Sequence, residues 1–143
     1  MDVFKYLEDD NASIVQHLSD TAKNYSEWSR ERVFEEAKKA FASAHKHLAI
    51  ESILENNLKD PAPVQSVLSE LSKLKNEITA ELEQIVELHI DEPGFEQSIE
   101  TIADKFNQYA QFSKQKFYPA MQKIISADDL KRISDQMEQK VLS

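Results

Sequence analysis

Apolar residues recur every three to four positions along most of the chain, which is the spacing of one face of an α-helix. In the first such segment, from about Met1, these positions form a heptad-like seam that also contains one amide side chain: Phe4, Leu7, Asn11, Ile14 and Leu18. Asn11 is therefore predicted to point inward. His17 lies off this seam and is predicted to face solvent.

The second segment ends at about Leu58 and places two polar side chains among its inward-facing positions. These positions are Val33, Ala37, Ala40, Ala44, His47, Glu51, Leu54 and Leu58. His47 and Glu51 are four residues apart, so on a helix they lie on one face, one turn apart. Such a pair either chelates a metal with ligands from other helices or forms a buried hydrogen-bonded pair. The sequence leaves both alternatives open.

The third and fourth segments continue the helical periodicity. The third predicted helix spans about 64–89, and Lys75 lies beside its apolar stripe. The fourth follows the only proline–glycine turn and directs Tyr109 and Ser113 inward. If Tyr109 is a core aromatic residue, its hydroxyl is expected to find a polar partner in the core. Pro119 is expected to bend or stop this helix, because proline lacks a backbone N–H donor.

A short fifth segment of the same kind closes the chain, and Ser126 is a suitable N-cap for it.

The chain has 143 residues, a length sufficient for one domain with a core, and it is 41% hydrophobic and 30% charged. A single glycine and four prolines leave few turns, and this disfavours β-rich folds. The patterns predict an all-α single domain over 1–143, an up-down-up-down antiparallel four-helix bundle with a short C-terminal fifth helix.

Composition narrows the range of functions. A net charge of −9 disfavours nucleic acid and anionic membrane surfaces as partners. No apolar run is long enough to span a bilayer and no signal-peptide pattern opens the sequence, so a cytoplasmic location is expected. There is no cysteine to supply a thiolate metal site or a nucleophile. Without a glycine-rich phosphate loop, a nucleophile elbow or a serine–histidine–acid set, the chain is not expected to be an enzyme.

Four stretches, in their order and spacing, resemble the hemerythrin-like family, also called the HHE cation-binding domain. They are "VFKYLEDDNASIVQHL", "HLAIES", "KFYPAM" and "ISADDLKRISDQMEQK", and their distribution extends the resemblance over nearly the whole chain. The resemblance implies a four-helix bundle with a non-haem di-iron site that binds oxygen or, in some members, nitric oxide. The family's ligands are a histidine on the first helix, HxxxE on the second, a histidine on the third, and HxxxE or HxxxH on the fourth.

The ligand set implied by this resemblance is only partly present. His47 and Glu51 match the second-helix motif. Asn11 stands where the family has its first-helix histidine, and Tyr109 and Ser113 stand where it has the fourth-helix pair. Asparagine and serine are weak metal donors, and tyrosine binds iron only as a phenolate. The resemblance therefore implies His47 and Glu51 as candidate metal ligands, with the other three as further cavity positions.

The position of the family's third-helix histidine falls near Lys75 or Glu77 in this chain, and the sequence does not decide between them.

Three hypotheses of function follow. The first is a hemerythrin-like domain with a depleted or lost iron site that acts as a binding or regulatory module. The second is a metal-binding gas sensor or carrier that uses His47, Glu51 and Tyr109. The third is an unrelated helical protein that binds a protein partner.

Overall fold

The computed structural model describes residues 1–143 and contains helices and turns but no β-strand, so the predicted all-α class is confirmed. Its helices are α1 (Val3–Lys23), α2 (Arg30–Asn56), α3 (Gln65–Ile85), α4 (Pro93–Phe112), α5 (Tyr118–Ile124) and α6 (Ala127–Leu142). A 3₁₀ turn (Ala62–Val64) precedes α3, and a π-helical turn (Ser113–Phe117) joins α4 to α5. None of the helices has both the length and the apolar character needed to cross a membrane.

The helix starts follow the capping chemistry of the sequence. The Ser29 hydroxyl accepts a hydrogen bond from the Arg32 N–H at 3.1 Å, and the Ser126 hydroxyl accepts one from the Asp129 N–H at 3.1 Å. Each satisfies an N–H that has no partner inside its helix. The third helix ends at Ile85, earlier than the predicted 89, because the chain already turns there towards the start of α4.

The four long helices pack around a common core, each against one or two of the others. Helix α1 contacts both α2 and α4, α4 contacts α3, and α6 lies against α1 and α2. The largest side chains in this core come from α4, the π-helical turn and α5; they are Phe106, Tyr109, Phe117 and Tyr118. On the facing side of α2, Ala37, Ala40 and Ala44 are fully buried and let the neighbouring helices approach closely.

One expectation about histidine placement is wrong. His17 does not face solvent: it is half-buried, and its Nε2 lies 2.7 Å from Glu36 Oε2 across the contact of α1 and α2. The contact between these helices reaches beyond the central seam, so the flanking side chains meet as well. His45 and His89 are exposed, as expected for residues away from the apolar stripes.

Of the two outcomes expected for Pro119, a stop is wrong, because the helical run continues past it to Ile124. In a regular α-helix the proline ring would clash with the carbonyl of Gln115, four residues earlier. Instead, the Tyr118 N–H donates to the carbonyl of Ser113, five residues earlier, in a wider π-helical turn. The proline therefore changes the hydrogen-bonding pattern ahead of it without ending the helix.

The close packing along α2 generates a test of the fold. Ala40→Leu should lower the free energy of unfolding by about 1–3 kcal/mol, because a larger side chain has no space in the filled core. The matched control is Ala42→Leu, whose side chain is exposed on the same helix and should change stability by no more than about 0.5 kcal/mol. Urea unfolding measures both values, and equal effects would contradict the packing of α2.

Candidate functional site

Six polar side chains from three regions of the chain form one buried cluster between α1, α2 and the run from α4 to α5. We call it the Glu51 cluster; its members are Asn11, His47, Glu51, Tyr109, Ser113 and Tyr118, none more than 3% exposed. All five positions singled out from the sequence are among them. Tyr118 is the sixth, and Asp10 joins the cluster from its half-buried edge.

The Glu51 carboxylate is the centre of the cluster. Its Oε2 accepts hydrogen bonds from the hydroxyl of Tyr109 and, at 2.8 Å, from the hydroxyl of Tyr118. His47 Nε2 lies 3.4 Å from the same oxygen. Burial alone would raise the pKa of Glu51, but His47, the charge of Lys75 and the Tyr109 hydroxyl outweigh it, and the pKa is lowered. Glu51 is therefore a buried carboxylate.

His47 lies between the carboxylates of Asp10 and Glu51. Its Nδ1 is 2.7 Å from Asp10 Oδ2, and its Nε2 is 3.1 Å from the Tyr109 hydroxyl oxygen. Since the single Tyr109 proton goes to Glu51, Nε2 must donate to Tyr109, and Nδ1 must donate to the Asp10 carboxylate. Burial lowers the pKa of His47, but the hydrogen bonds to Asp10 and Glu51 more than reverse this and raise it. The hydrogen bonds thus assign a buried imidazolium.

Tyr118 was missed by the sequence reasoning. Its hydroxyl donates to Glu51 and accepts from Asn11 Nδ2 at 3.0 Å. Tyr109 and Tyr118 are nine residues apart, and at about 100° per residue a regular α-helix would put them on opposite faces. The π-helical turn contains one extra residue and rotates Tyr118 back towards Tyr109 by roughly 100°. Pro119, which follows directly, is the sequence signal for this turn.

Both tyrosines are neutral hydrogen-bond donors. Burial and the negative charge of Glu51 raise the pKa of Tyr109 and of Tyr118 far above the ordinary value of 10.0. Ser113 lies near the two hydroxyls and partly opposes this rise. The phenols therefore hold their protons towards Glu51 at neutral pH.

Three atoms of the cluster have no hydrogen-bond partner: Asn11 Oδ1, Glu51 Oε1 and Ser113 Oγ. Two of them can only accept, and the serine hydroxyl can accept or donate. A buried polar atom without a partner costs about 1–3 kcal/mol. The cluster thus has unused capacity to bind a cation or a hydrogen-bond donor.

A surface groove reaches one residue of the cluster. It lies between α1 and α4, has a volume of about 360 Å³, and includes Asn11 in its wall together with Gln16, Asn107 and Gln111. Asn11 is also the hydrogen-bond partner of Tyr118, so the groove meets the cluster at this amide.

Helix α3 contributes no side chain to the hydrogen bonds of the cluster. The ammonium of Lys75 lies 2.8 Å from Glu55 Oε1 and 3.3 Å from Ser52 Oγ, both on α2. Glu77, the other position considered for a third-helix ligand, is half-buried. Neither residue takes the place of the family's third-helix histidine.

The donor set does not fit the di-iron site that the family resemblance implies. No three histidine, aspartate and glutamate side chains converge in a way that could hold a metal ion. The two carboxylates nearest His47 lie against opposite nitrogens of its ring, so they cannot bind one ion with it. A di-iron centre needs several strong donors converging from all four helices, and His47 and Glu51 alone do not supply them.

The buried ion pair generates a double-mutant prediction. His47→Leu should lower the free energy of unfolding by about 3 kcal/mol, because it leaves the Glu51 carboxylate without a cationic partner. Glu51→Leu should also destabilise, and changing both should cost less than the sum of the single changes. His45→Leu is the exposed control. Urea unfolding of the cycle gives the coupling, and additivity would show that the two groups do not interact.

The same pair predicts how stability depends on pH. The raised pKa of His47 adds stability that is complete below its ordinary value of 6.5 and is lost as the pH rises through the raised value. The lowered pKa of Glu51 adds stability that is complete above its ordinary value of 4.5 and is lost as the pH falls through the lowered value. The pair should therefore contribute most between pH 4.5 and 6.5.

Melting temperatures of the native chain and of His47→Leu, measured from pH 4.5 to well above pH 6.5, give that contribution. The difference between them should shrink on the alkaline side. A difference that stays constant up to high pH would contradict the charged state of His47.

Comparison with known proteins gives no relative for this chain. No protein-family model matches it, and neither does any characterised protein or solved structure. The hemerythrin-like resemblance therefore stays a hypothesis that rests on the four sequence stretches that carry it.

Proposed function

We propose that this chain is a hemerythrin-like, non-enzymatic binding module in which the Glu51 cluster replaces the family's di-iron site. The observation that carries the proposal is the convergence of five positions. Asn11, His47, Glu51, Tyr109 and Ser113 are the positions where the resemblance places metal ligands, and all five are buried together. The resemblance predicts that these five positions surround one site, and their burial together supports the proposal.

The proposal includes the family's up-down-up-down antiparallel order of helices. Three contacts between helices support it: α1 with α2, α1 with α4, and α3 with α4. The short connections between successive long helices support it as well. In this arrangement α6 is the closing helix that packs across α1 and α2.

The chemistry of the cluster favours a binding role over oxygen transport by two irons. The lone pairs of His47 are taken up by protons, and Glu51 is held by two phenol donors. The unpaired atoms leave hydrogen-bonding capacity inside the cluster, and the groove between α1 and α4 reaches the cluster at Asn11.

Ferrous iron loading without oxygen tests the loss of the di-iron site. The native chain should take up fewer than two irons and show no absorption band that responds to oxygen. A variant with Asn11→His, Tyr109→His and Ser113→Glu should take up two irons and melt at a higher temperature with iron, because each change supplies a stronger donor. Adding His47→Leu to this variant is the control and should abolish the gain.

The third-helix ligand is tested separately by adding Lys75→His or Glu77→His to the repaired variant. Two irons in the native chain would show that the di-iron site is intact. A repaired variant that folds but takes up no iron with either addition would show that the alignment of these positions with the family is wrong.

A further inference from the structure

A second groove, apart from the Glu51 cluster, is lined almost entirely by apolar side chains. It lies between the first half of α2, the end of α3 and the start of α4, and its volume is about 290 Å³. We infer that this apolar groove binds a basic amphipathic helix of a protein partner, with Phe34 and Val86 as its two anchoring side chains. No residue of the Glu51 cluster takes part, so this surface goes beyond the proposed function and does not depend on it.

Two of the few large apolar side chains that this chain exposes meet at the apolar groove. Phe34 is 48% exposed and Val86 is 76% exposed, and both line it. The other exposed ones, Met1, Ile124 and Leu142, do not. Single exposed apolar residues are ordinary on a protein surface, whereas a contiguous apolar patch marks an interaction site.

The apolar groove follows an open seam of the bundle. The backbones of α1 and α2, of α1 and α4, and of α3 and α4 approach one another closely, whereas those of α2 and α3 do so much less. Side chains of α2 and of the end of α3 therefore line a gap that no helix of this chain covers. A helix from a partner removes these apolar side chains from water, which is the main favourable term in association.

The spacing of the lining residues suits a helix. On α2 they are Phe34, Ala37, Lys38 and Phe41, which recur every three to four residues over two turns, or about 10 Å. An amphipathic helix presents its apolar side chains with the same repeat, and this is how helices bind in apolar grooves. The chain contains no β-strand, so it offers no sheet edge to an extended peptide.

The charged side chains beside the apolar groove select a basic partner. Four exposed glutamates lie within four residues of the anchoring side chains and form no ion pair within the chain; they are Glu31, Glu35, Glu83 and Glu87. The cations close to them are engaged elsewhere: Arg30 with Asp91, Arg32 with the ring of Trp28, and Lys39 with Glu36. Lys38 is the only cation that lines the groove. The excess of free carboxylates complements lysine and arginine side chains.

The same charges disfavour other occupants of the apolar groove. A second copy of this chain would bring the four glutamates face to face, because a two-fold contact uses the same patch on both copies. The net charge of −9 adds to that repulsion. An aliphatic acid would place its carboxylate among these glutamates, with only Lys38 to attract it.

The first measurement uses the native chain and a fluorescent synthetic peptide of about 14 residues, held helical by a side-chain cross-link. Leucines lie along one face of this helix, and lysines flank them on both sides. We expect saturable one-to-one binding, measured by fluorescence anisotropy, that weakens as the salt concentration rises. One control has the same composition with its leucines scattered around the helix, and a second has glutamate in place of each lysine. No binding of the first peptide, or equal binding of either control, would overturn the inference.

Variants of the chain then locate the contact. Phe34→Ser and Val86→Ser should each lower the affinity for the peptide by about tenfold or more, as at the anchoring residues of an interface. The matched control is Leu142→Ser, whose side chain is 87% exposed outside the groove, and it should leave the affinity unchanged. Circular dichroism checks that each variant is folded. Native affinity in both groove variants would show that the peptide binds elsewhere.

A pair of charge reversals tests the selection of a basic partner. Glu83→Lys with Glu87→Lys should weaken binding of the peptide and reduce its salt dependence. Glu70→Lys with Asp135→Lys changes the net charge equally at exposed positions, at the other end of α3 and on α6, and should have a smaller effect. Equal effects would show that net charge alone attracts the peptide. Tighter binding of dodecanoate than of the peptide, or a native dimer that Phe34→Ser dissociates, would identify another occupant and overturn the inference.

Discussion

The structure depends on the burial of one carboxylate, Glu51, in the middle of a helical core. A charge in this position is stable only if hydrogen-bond donors and a compensating charge surround it. His47, Tyr109 and Tyr118 supply them from two different parts of the chain, and Asp10 and Asn11 hold those groups in turn. The packing of α1, α2 and the run from α4 to α5 is therefore fixed by polar contacts as well as by apolar ones.

Helical periodicity was enough to predict much of this site from the sequence. Counting positions along a regular helix places Asn11, His47 and Glu51 on inward faces, and the structure buries all three. The same count places Tyr109 in the core, and its hydroxyl finds Glu51 and His47 as expected for a core aromatic residue. An amphipathic helix has one apolar face, so the pattern determines which side chains meet the core.

Other features depend on how the helices dock, which periodicity does not contain. Asp10 reaches His47 and His17 reaches Glu36 because α1 and α2 meet along their flanks as well as their seams. Lys75 is directed to Glu55 by the same kind of lateral contact. Tyr118 was missed for another reason: a count that assumes a regular α-helix fails once a π-helical turn changes the number of residues per turn.

The π-helical turn between α4 and α5 also lets this site tolerate a change in chain length. The turn accommodates one residue more than an α-helical turn, so removing one residue between Ser113 and Phe117 would restore a regular α-helix. Tyr109 and Tyr118 would then be about eight residues apart, and at about 100° per residue they would still point within about 80° of each other. A single-codon deletion in this turn would therefore leave both tyrosines directed at Glu51, whereas a regular α-helix of the present length would separate them.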